Sequence, residues 1–516
     1  MENAKDLLFA DEARYKLLEG IDQLTNVLSP TLGPRGRNIG IDKLYGPPLI
    51  TSRGASVVSG FELKDSFVDM GASLARDALL NMREKTGDGT TTCLVLIQAL
   101  VEEGIKKIVA GSSPIELVRG LEKGLKTILK EINEQKIPVE NIEDIKKVAT
   151  LCSNAEVGTY ISEAFEKVGT LGVVQIEEAK GCDCSITTTE GMQLEKGFIS
   201  SHFVTDQEKM QIVMENASIL ICDQKIQSVQ DILPLLQEFV GSGKELFIVA
   251  EDIEQDVLSA LAINHMKGLV KVCAIKAPGF GDEKRKLLED LAIFTGGYVI
   301  NQEVGRKLKD VTLDGLGSCE KIVITSDKSI FIAGKGEKQA IQKRVKEIEA
   351  QTNIDEDNKV KLSKRKANLN GLVAEILVGA YSDIELEYKK KLFEDTLEST
   401  KVAITDGICV GGGICLHQAS FKLKGQNEGE EVLRYALSAP IKKLAENSGI
   451  CPAIVLDKIG KNRKNFGFNV IKEEVENLLE NGIVDPVKLV KLSLTTAVSV
   501  AKIILLTETL ICDAEN

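Results

Sequence analysis

Apolar residues recur at helical spacing through both ends of the chain. Between residues 12 and 28 they lie three or four positions apart, which predicts an amphipathic helix. The same spacing predicts further helices over residues 67–82, 89–109, 115–133, 431–447 and 487–505. The pattern over 89–109 is apolar on nearly every side, as is typical of a buried helix. Both ends of the chain are therefore predicted to be mostly α-helical.

The middle of the chain alternates between two periodicities. Short apolar runs typical of strands occur at residues 172–177, 218–222, 246–250, 270–275, 298–301 and 321–325. Helical patterns lie between them at 229–240, 253–266 and 283–295, and a charge-rich helical pair follows over 336–369. Such alternation is typical of an α/β domain. The pattern predicts a multidomain fold, with a mostly α domain built from both chain ends and an α/β domain inserted between them.

Composition limits the classes of function. The chain has 516 residues, a length that allows about three domains. Its net charge is −13. An acidic balance disfavours nucleic-acid binding, because the phosphate backbone is bound by an excess of basic side chains. Trp is absent and aromatic residues make up only 4% of the chain, which disfavours stacking platforms for bases. We therefore expect no nucleic-acid partner.

Cysteine usage and hydropathy indicate the compartment. Most of the 11 Cys lie within apolar runs, where a thiol packs as a small hydrophobic group. Only Cys182 and Cys184 lie close together, and zinc sites use a wider spacing and a second pair. The first six residues contain no apolar signal core. The apolar stretch over 492–511 contains Lys502 and Glu508, which favours a buried helix over a membrane span. We expect a soluble, cytoplasmic protein with no membrane partner.

Two glycine-bearing loops are candidates for binding a phosphate. The first, Thr31–Asn38, follows a predicted helix, and its glycines allow the backbone to approach an anion closely. The second, Gly87–Thr92, places three hydroxyls and the Asp88 carboxylate at the start of the buried helix. Free N–H groups at a helix start attract phosphate, and a carboxylate can hold Mg2+ beside it. Taken alone, each loop is also compatible with an ordinary turn or a helix N-cap.

Two later segments expose backbone in a similar way. Gly411–Gly413 lies between apolar residues, and close helix packing is the alternative explanation for its glycines. Asp485 precedes the last predicted helix, where it can hold a ribose or cap the helix, and the residue pattern alone favours the cap. Gly241–Lys244 lacks the flanking residues of a P-loop. A nucleotide would therefore need a different cradle.

The predicted helices near 232–240 and 257–263 carry more apolar residues than one buried face needs. Part of this excess belongs to the core of the α/β domain. The remainder is compatible with an exposed apolar groove, and exposed apolar patches commonly bind other chains. The pattern alone leaves the core and the groove as alternatives.

Six short motifs occur along the chain in a fixed order. They are Thr31–Asn38, Gly87–Thr92, Glu190–Gln193, Lys276–Asp282, Thr295–Gly297 and Gly411–Gly413. Their order and spacing resemble those of the group I chaperonins, the 60-kDa heat-shock family that includes GroEL. The resemblance covers essentially the whole chain, and several motifs in register are more specific than any single loop.

The resemblance implies a GroEL-like fold of three domains, two of them formed from separate stretches of chain. The equatorial, mostly α, ATP-binding domain would comprise residues 1–134 and 406–516. The intermediate domain would comprise residues 135–189 and 374–405. The apical α/β domain, which binds substrate and lid, would comprise residues 190–373.

The resemblance also implies an ATP site with Mg2+ as cofactor and K+ as an optional second ion. Asp88 would bind the metal, and Asp395 would be the catalytic residue that positions the attacking water. The residues that would contact ATP are Thr31, Leu32, Gly33, Pro34, Ser52, Asp88, Gly89, Thr90, Thr91, Thr92, Gly412, Asn469, Val470, Ile471 and Asp485.

The partners implied by the resemblance are a GroES-type co-chaperonin, non-native polypeptides and further copies of the chain. Seven copies would form a ring, and two rings would stack around a cavity closed by the co-chaperonin. The surface for substrate and lid would comprise Phe198, His202, Phe203, Leu233, Leu236, Leu258, Ala262, Ile263 and Asn264.

Departures from the family pattern indicate a diverged paralogue. Ser52 and Arg53 stand where the family has Lys-Asp, so a cation replaces the carboxylate that faces the γ-phosphate. In the apical surface His202 replaces an aromatic residue, and Ala262 and Asn264 replace larger apolar residues. Two functions are therefore compatible with the sequence. One is an ATP-dependent folding chaperonin, and the other is a paralogue that binds nucleotide and clients but hydrolyses ATP poorly, acting as a holdase or specialised binder.

Overall fold

The structure of the chain is a computed structural model. It describes residues 5–42, 49–51, 54–139, 141–170, 172–179, 181–207, 210–241, 243–301, 305–306, 308–352, 362, 365–366, 368–369, 371–460 and 464–513. The chain forms two compact units, one from Met1–Ser162 with Glu387–Asn516 and the other from Glu163–Leu386. The two chain ends thus share a unit and the middle forms the other. The three-domain boundaries stay a prediction, because the two units divide the expected intermediate domain between them.

The described helices are numbered in chain order. They are α1 (Ala10–Leu28), α2 (Gly54–Val58), α3 (Ser66–Thr86), α4 (Thr90–Val109), α5 (Pro114–Glu134), α6 (Ile142–Cys152), α7 (Ala155–Val168), α8 (Val229–Phe239), α9 (Gln255–Met266), α10 (Gly281–Thr295), α11 (Lys338–Thr352), α12 (Asp383–Asp406), α13 (Ile414–Ser420), α14 (Glu428–Ala436), α15 (Ala439–Asn447), α16 (Pro452–Ile459) and α17 (Val487–Leu506).

The described strands are also numbered in chain order. They are β1 (Lys5–Phe9), β2 (Ile39–Ile41), β3 (Leu49–Thr51), β4 (Val173–Glu178), β5 (Ser185–Leu194), β6 (Ile212–Glu215), β7 (Ser218–Ile226), β8 (Glu245–Ile253), β9 (Lys271–Lys276), β10 (Val299–Ile300), β11 (Gly317–Ile324), β12 (Ser329–Gly334), β13 (Leu372–Val378), β14 (Ile408–Val410), β15 (Phe466–Asn469), β16 (Glu474–Asn477), β17 (Val484–Pro486) and β18 (Thr509–Asp513).

The first unit is a helical assembly around α4. This helix packs against α1, α14 and α17. Leu94, Leu96 and Ile97 point to different sides of α4 and are all fully buried, which explains why the helix is apolar all round. The antiparallel pair β1 and β18 joins the two ends of the chain, from Lys5 opposite Asp513 to Phe9 opposite Thr509. The unit therefore depends on residues from both termini.

The second unit is built on one mixed sheet. The strand order is β4-β13-β5-β12-β11-β7-β8-β9, with β10 beside β7 and β6 beside β11. Strands β7, β8 and β9 run parallel, as strands joined by crossover helices do. The run from Leu246 to Ala250 in β8 is fully buried, which is typical of a parallel strand covered on both faces. This unit is the predicted α/β insertion.

Most predicted elements are confirmed, with one correction. The six predicted strands correspond to β4, β7, β8, β9, β10 and β11. The helix expected over 431–447 is wrong as a single element, because α14 ends at Ala436 and α15 begins at Ala439. Pro440 explains the break, since its ring clashes with the carbonyl of Ala436 and it has no N–H to donate. The first helix of the charge-rich pair is α11, whereas residues 353–361 lie outside the described part.

Among the described residues, one helix is long and apolar enough to cross a membrane by length and composition alone. This helix is α17, and 56% of its most apolar window is buried inside the structure. Its residues Leu494, Ala497 and Ala501 are fully buried. The apolar C-terminal stretch therefore packs as a core helix, as the sequence indicated.

Candidate functional site

The two phosphate-loop candidates meet in the first unit. Helix α1 continues into a 3-10 turn, Ser29–Thr31, whose last residue donates its hydroxyl to the Leu28 carbonyl at 2.7 Å. The Thr31 Oγ1 atom lies 3.4 Å from the Thr91 Oγ1 atom in the first turn of α4. The structure thus brings together two loops that lie 60 residues apart in sequence.

The loop after Thr31 requires glycine. Gly33 has a φ of +84°, a conformation that residues with a Cβ rarely adopt. A Cβ atom there would lie 2.4 Å from Leu444 Cδ2. The chain therefore passes Gly33 in close contact with α15.

The second loop is a tight turn between α3 and α4. Gly87 ends α3 with a φ of +72°, and Gly89 is the N-cap of α4 with a φ of +90°. The Asp88 carboxylate accepts the Gly89 N–H at 2.6 Å, and the Thr86 hydroxyl donates to the Asp88 carbonyl at 2.9 Å. The turn fixes Asp88 beside the first N–H groups of α4, which carry the positive end of the helix dipole. The turn therefore begins α4 and is also compatible with a phosphate site.

Asp485 lies close to this turn. It is paired with Cys409 in the short β14–β17 ladder. Burial, and to a smaller extent the negative charge of Asp88, raise the pKa of Asp485 to about 7. The cap that the residue pattern favoured is wrong, because the N-cap of α17 is Pro486 and no side chain caps this helix. Asp485 instead contributes a second carboxyl group beside Asp88.

The two carboxyl groups suit a divalent cation. Mg2+ in nucleotide sites is held by one or two carboxylates together with phosphate oxygens. Within the described part of the chain no cluster of three or more His, Cys, Asp or Glu forms a complete metal site. Asp88 and Asp485 therefore fit a metal whose remaining ligands come from a bound phosphate and from water.

The expected catalytic residue, Asp395, lies on α12 beside the same turn. A Cβ on Gly87 would lie 2.8 Å from the Asp395 carbonyl oxygen, and the Ser399 hydroxyl donates to the Thr86 carbonyl at 3.1 Å. The Asp395 carboxylate accepts a hydrogen bond from Arg83 Nη2 at 3.1 Å. Helix α12 is thus fixed to the Asp88 turn through backbone and side-chain contacts.

The loops expected around the base and ribose form a second side of the site. Gly412 and Gly413 both have positive φ, of +64° and +75°, and the Gly411 N–H donates to the Ile483 carbonyl at 3.0 Å. The Asn469 carboxamide accepts the Ile471 N–H at 2.9 Å, so it organises its own turn. Val470 is buried, whereas the Ile471 side chain is 69% exposed.

An ion pair joins the two sides of the site. Arg35 Nη2 lies 2.6 Å from Glu473 Oε1, and both side chains are partly exposed. Arg35 belongs to the first glycine-bearing loop, and Glu473 lies four residues after Asn469. The contact therefore connects the loop on the phosphate side with the loop on the base side.

Ser52 and Arg53, the departure from the family pattern, lie outside the described residues. Gly54, the next described residue, borders the Thr90–Thr91 turn, since a Cβ there would lie 2.6 Å from Thr91 Oγ1 and 2.9 Å from Thr90 Oγ1. Thr51, on the other side, is buried.

The predicted apical positions divide by exposure. Leu233 and Ile263 are exposed at 43% and 51%. Phe198, Leu236 and Asn264 are half-buried, and His202 is exposed. The remaining three pack in the core of the second unit, and they are Phe203, Leu258 and Ala262. The apolar surface at these helices is therefore narrower than the full set of predicted positions.

Several site residues were missed from the sequence. Arg83 contacts Asp395 across 312 positions of sequence, and Asn447 donates to the loop before Thr31 across 418 positions. Cys152, at the end of α6, is a further residue, and burial first and then the charges of Asp88 and Asp485 raise its pKa. No local pattern marks these residues, since their roles depend on contacts between distant segments.

The sequence match and the fold identify the chain as a chaperonin. Residues 24–515 match the model of the TCP-1/cpn60 chaperonin family, so the chain belongs to this family. Within it the chain is a GroEL-like member with the equatorial, intermediate and apical architecture of that group, as its motifs indicated.

Two relatives illustrate the similarity. The chain is 41% identical to chaperonin GroEL 3 of Protochlamydia amoebophila (strain UWE25) over 526 aligned positions, which cover 100% of this chain and 98% of that protein. Its fold is similar to the crystal structure of the chaperonin gp146 from the bacteriophage EL 2 (Pseudomonas aeruginosa), determined in the presence of ATP-BeFx. That match has a TM-score of 0.73 and covers 99% of both chains at 17% identity.

Proposed function

We propose that this protein is an ATP-dependent chaperonin that binds non-native polypeptides and assists their folding. Membership of the chaperonin family supports a folding function. The observation that carries the nucleotide dependence is the convergence of Thr31, Thr91, Asp88 and Asp485 at one helix start. We further propose that the protein acts in the cytoplasm, as two stacked seven-membered rings that a GroES-type co-chaperonin closes.

In the proposed site the triphosphate lies between the Thr31–Pro34 loop and the start of α4. The first N–H groups of α4 and the hydroxyls of Thr90–Thr92 point to where negative charge would sit. Asp88 and Asp485 would hold Mg2+, which would neutralise phosphate charge during transfer. With a pKa of about 7, Asp485 is partly protonated in the neutral range. Binding of Mg2+ would favour its ionised form, because a carboxyl group must be deprotonated to bind a metal.

Asp395 would orient the water that attacks the γ-phosphate. The contacts of α12 with Thr86 and Gly87 hold its backbone beside the phosphate turn. Arg83 fixes the direction of the carboxylate through the bond at 3.1 Å. A positioned carboxylate of this kind acts by geometry and by accepting a proton as the water attacks.

The client surface would lie on α8 and α9 of the second unit. Leu233 and Ile263 are exposed apolar side chains on these two helices. Exposed apolar residues on adjacent helices can bind apolar segments that a folded protein would bury. His202 beside them makes this surface more polar than the family pattern.

A second candidate function is a paralogue that binds nucleotide and clients but turns over ATP slowly. The observation that favours it is Arg53, where the family has an acid. A guanidinium can pair with phosphate and preserve binding, but it cannot orient a water as a carboxylate does.

One experiment separates the two functions. Purified protein is titrated with Mg·ATP by calorimetry, its steady-state hydrolysis is measured, and its mass in solution is determined. Hydrolysis at a rate typical of chaperonins supports the first function. ATP binding with little hydrolysis, together with a gain of turnover in Arg53→Asp, supports the second. Absence of ATP binding overturns both.

A further inference from the structure

Helix α15 contacts both sides of the proposed nucleotide site. Near its first residue, a Cβ on Gly413 would lie 3.2 Å from Pro440 Cβ and 3.1 Å from Ile441 Cγ1. Near its last residue, a Cβ on Gly33 would lie 2.4 Å from Leu444 Cδ2. Asn447 lies seven positions after Pro440, a distance of about 10 Å along a helix at about 1.5 Å per residue. One short, rigid element therefore lies behind both glycine loops.

The last residue of α15 binds the phosphate loop directly. Asn447 Nδ2 donates to the Ser29 carbonyl at 2.8 Å and to the Leu32 carbonyl at 3.0 Å. Because both partners are carbonyl oxygens, only the nitrogen of the carboxamide can make these bonds. The two carbonyls flank Thr31, whose hydroxyl lies 3.4 Å from that of Thr91. The Asn447 side chain thus closes the turn that presents Thr31 to the start of α4.

We propose that Asn447 is a positioning residue for nucleotide binding, through which α15 sets the spacing between the phosphate loop and the Gly411–Gly413 loop. The inference rests on the proposed ATP site and adds a residue that does not itself touch the nucleotide. Leu444 and Asn447 lie three residues apart and so share one face of α15. Apolar packing on Gly33 and the paired hydrogen bonds therefore act on the same loop from the same side.

Removing the amide nitrogen of Asn447 should weaken nucleotide binding by the loop more than it lowers the stability of the fold. In Asn447→Asp a carboxylate would face two carbonyl oxygens, and in Asn447→Ser the single hydroxyl donor cannot bond to both of them. Hydrogen bonds that fix a binding loop are expected to contribute about a tenfold change in affinity when two are lost. The matched control is Asn481→Asp, because Asn481 donates its amide to the Asn477 carbonyl at 3.0 Å within an exposed turn.

The test measures the dissociation constant of Mg·ADP by calorimetry and the melting temperature with and without Mg·ADP. We expect both Asn447 variants to bind Mg·ADP at least about tenfold more weakly, and to lose most of the ADP-induced rise in melting temperature. The control should match the wild type. A purely structural role would lower the melting temperature without ADP and leave the ADP-induced rise intact.

Each outcome decides the matter. Affinity within twofold of wild type in Asn447→Ser, or in both variants, overturns the inference while the ATP site stands. If Asn447→Asp fails to fold, Asn447→Ser alone decides. A wild-type protein that does not bind Mg·ADP overturns the proposed function, and this inference with it.

Discussion

Two carboxyl groups from distant parts of the chain define the chemistry of the site. Asp88 lies in the α3–α4 turn and Asp485 in β17, and the charge of the first adds to the burial that raises the pKa of the second to about 7. A protein keeps such a pair at a cost in stability. The proposed Mg2+ would relieve the repulsion between the two carboxylates.

The raised pKa predicts a pH dependence. Well below the ordinary value of 3.8, Asp485 is protonated in both folded and unfolded states and does not lower the stability. Between 3.8 and about 7 the unfolded chain releases the proton that the folded protein keeps, so stability falls as pH rises. Above about 7 the penalty is constant.

Asp485→Asn should therefore melt higher than the wild type at alkaline pH without metal or nucleotide. The difference should shrink steadily as the pH falls from about 8 toward 4. Melting temperatures of the two proteins across this range provide the measurement. A difference that stays constant with pH would mean that Asp485 titrates at its ordinary value.

The positions of single residues around the site were only partly predictable. Thr31, Asp88 and Asp395 were identified from motifs, and the structure places them around one turn. The same motifs gave no indication of Arg83 or Asn447, because each contacts its partner across more than 300 residues of sequence. A local pattern also misassigned Asp485 as a cap, since Asp before Pro at a helix start is the usual capping signal.

At the scale of elements, a buried charge cluster joins α10 to α11 in the second unit. Asp290 is 1% exposed and accepts a hydrogen bond from Arg344 Nε at 2.8 Å. It also accepts two from the buried Arg365, at 2.9 and 2.7 Å. One carboxylate thus pairs with two guanidinium groups, and Arg344 also pairs with Glu289.

Asp290→Asn should destabilise this region strongly. Removing one partner of a buried ion pair typically costs about 3–5 kcal/mol, because the remaining charge is left uncompensated. Hydrogen exchange of the α10 and α11 backbone in the full-length protein should report a large loss of protection. The control is Glu289→Gln, since Glu289 binds the same Arg344 at 2.7 Å but is 54% exposed and should change exchange little. Equal effects of the two substitutions would contradict the buried role of Asp290.

Elements with strong hydrophobic periodicity were predictable from the sequence. Strands β5 and β6 were not, because their sequence patterns are weak. Strand β5 has the sequence Ser-Ile-Thr-Thr-Thr-Glu-Gly-Met-Gln-Leu, and its first half is largely exposed. It lacks both a continuous apolar run and strict alternation, so its pairing with β13 and β12 had no clear sequence signal. Strand β6 has only 4 residues. The helix break before α15 was detectable, because Pro440 stands in the middle of the predicted helix.

At the scale of the whole molecule, client binding should depend on the second unit and nucleotide binding on the first. Leu233→Ser with Ile263→Ser removes the two most exposed apolar side chains of the predicted surface. Capture of an unfolded test protein should fall several-fold, because these residues would supply the apolar contact. Mg·ADP affinity should not change, since neither residue belongs to the unit that contains the nucleotide loops. Unchanged capture would mean that clients bind to a different surface of the protein.

The proposed folding function is best tested by ATP-driven refolding of a captured protein. A chemically denatured enzyme is bound to the purified chaperonin, and its activity is followed after addition of Mg·ATP and a GroES-type co-chaperonin. We predict that nucleotide raises the recovered activity well above the level without nucleotide. The Asp395→Asn variant should capture the enzyme but should not complete repeated cycles of ATP hydrolysis and release. Recovery of the same enzyme activity with and without ATP would contradict the proposed folding function.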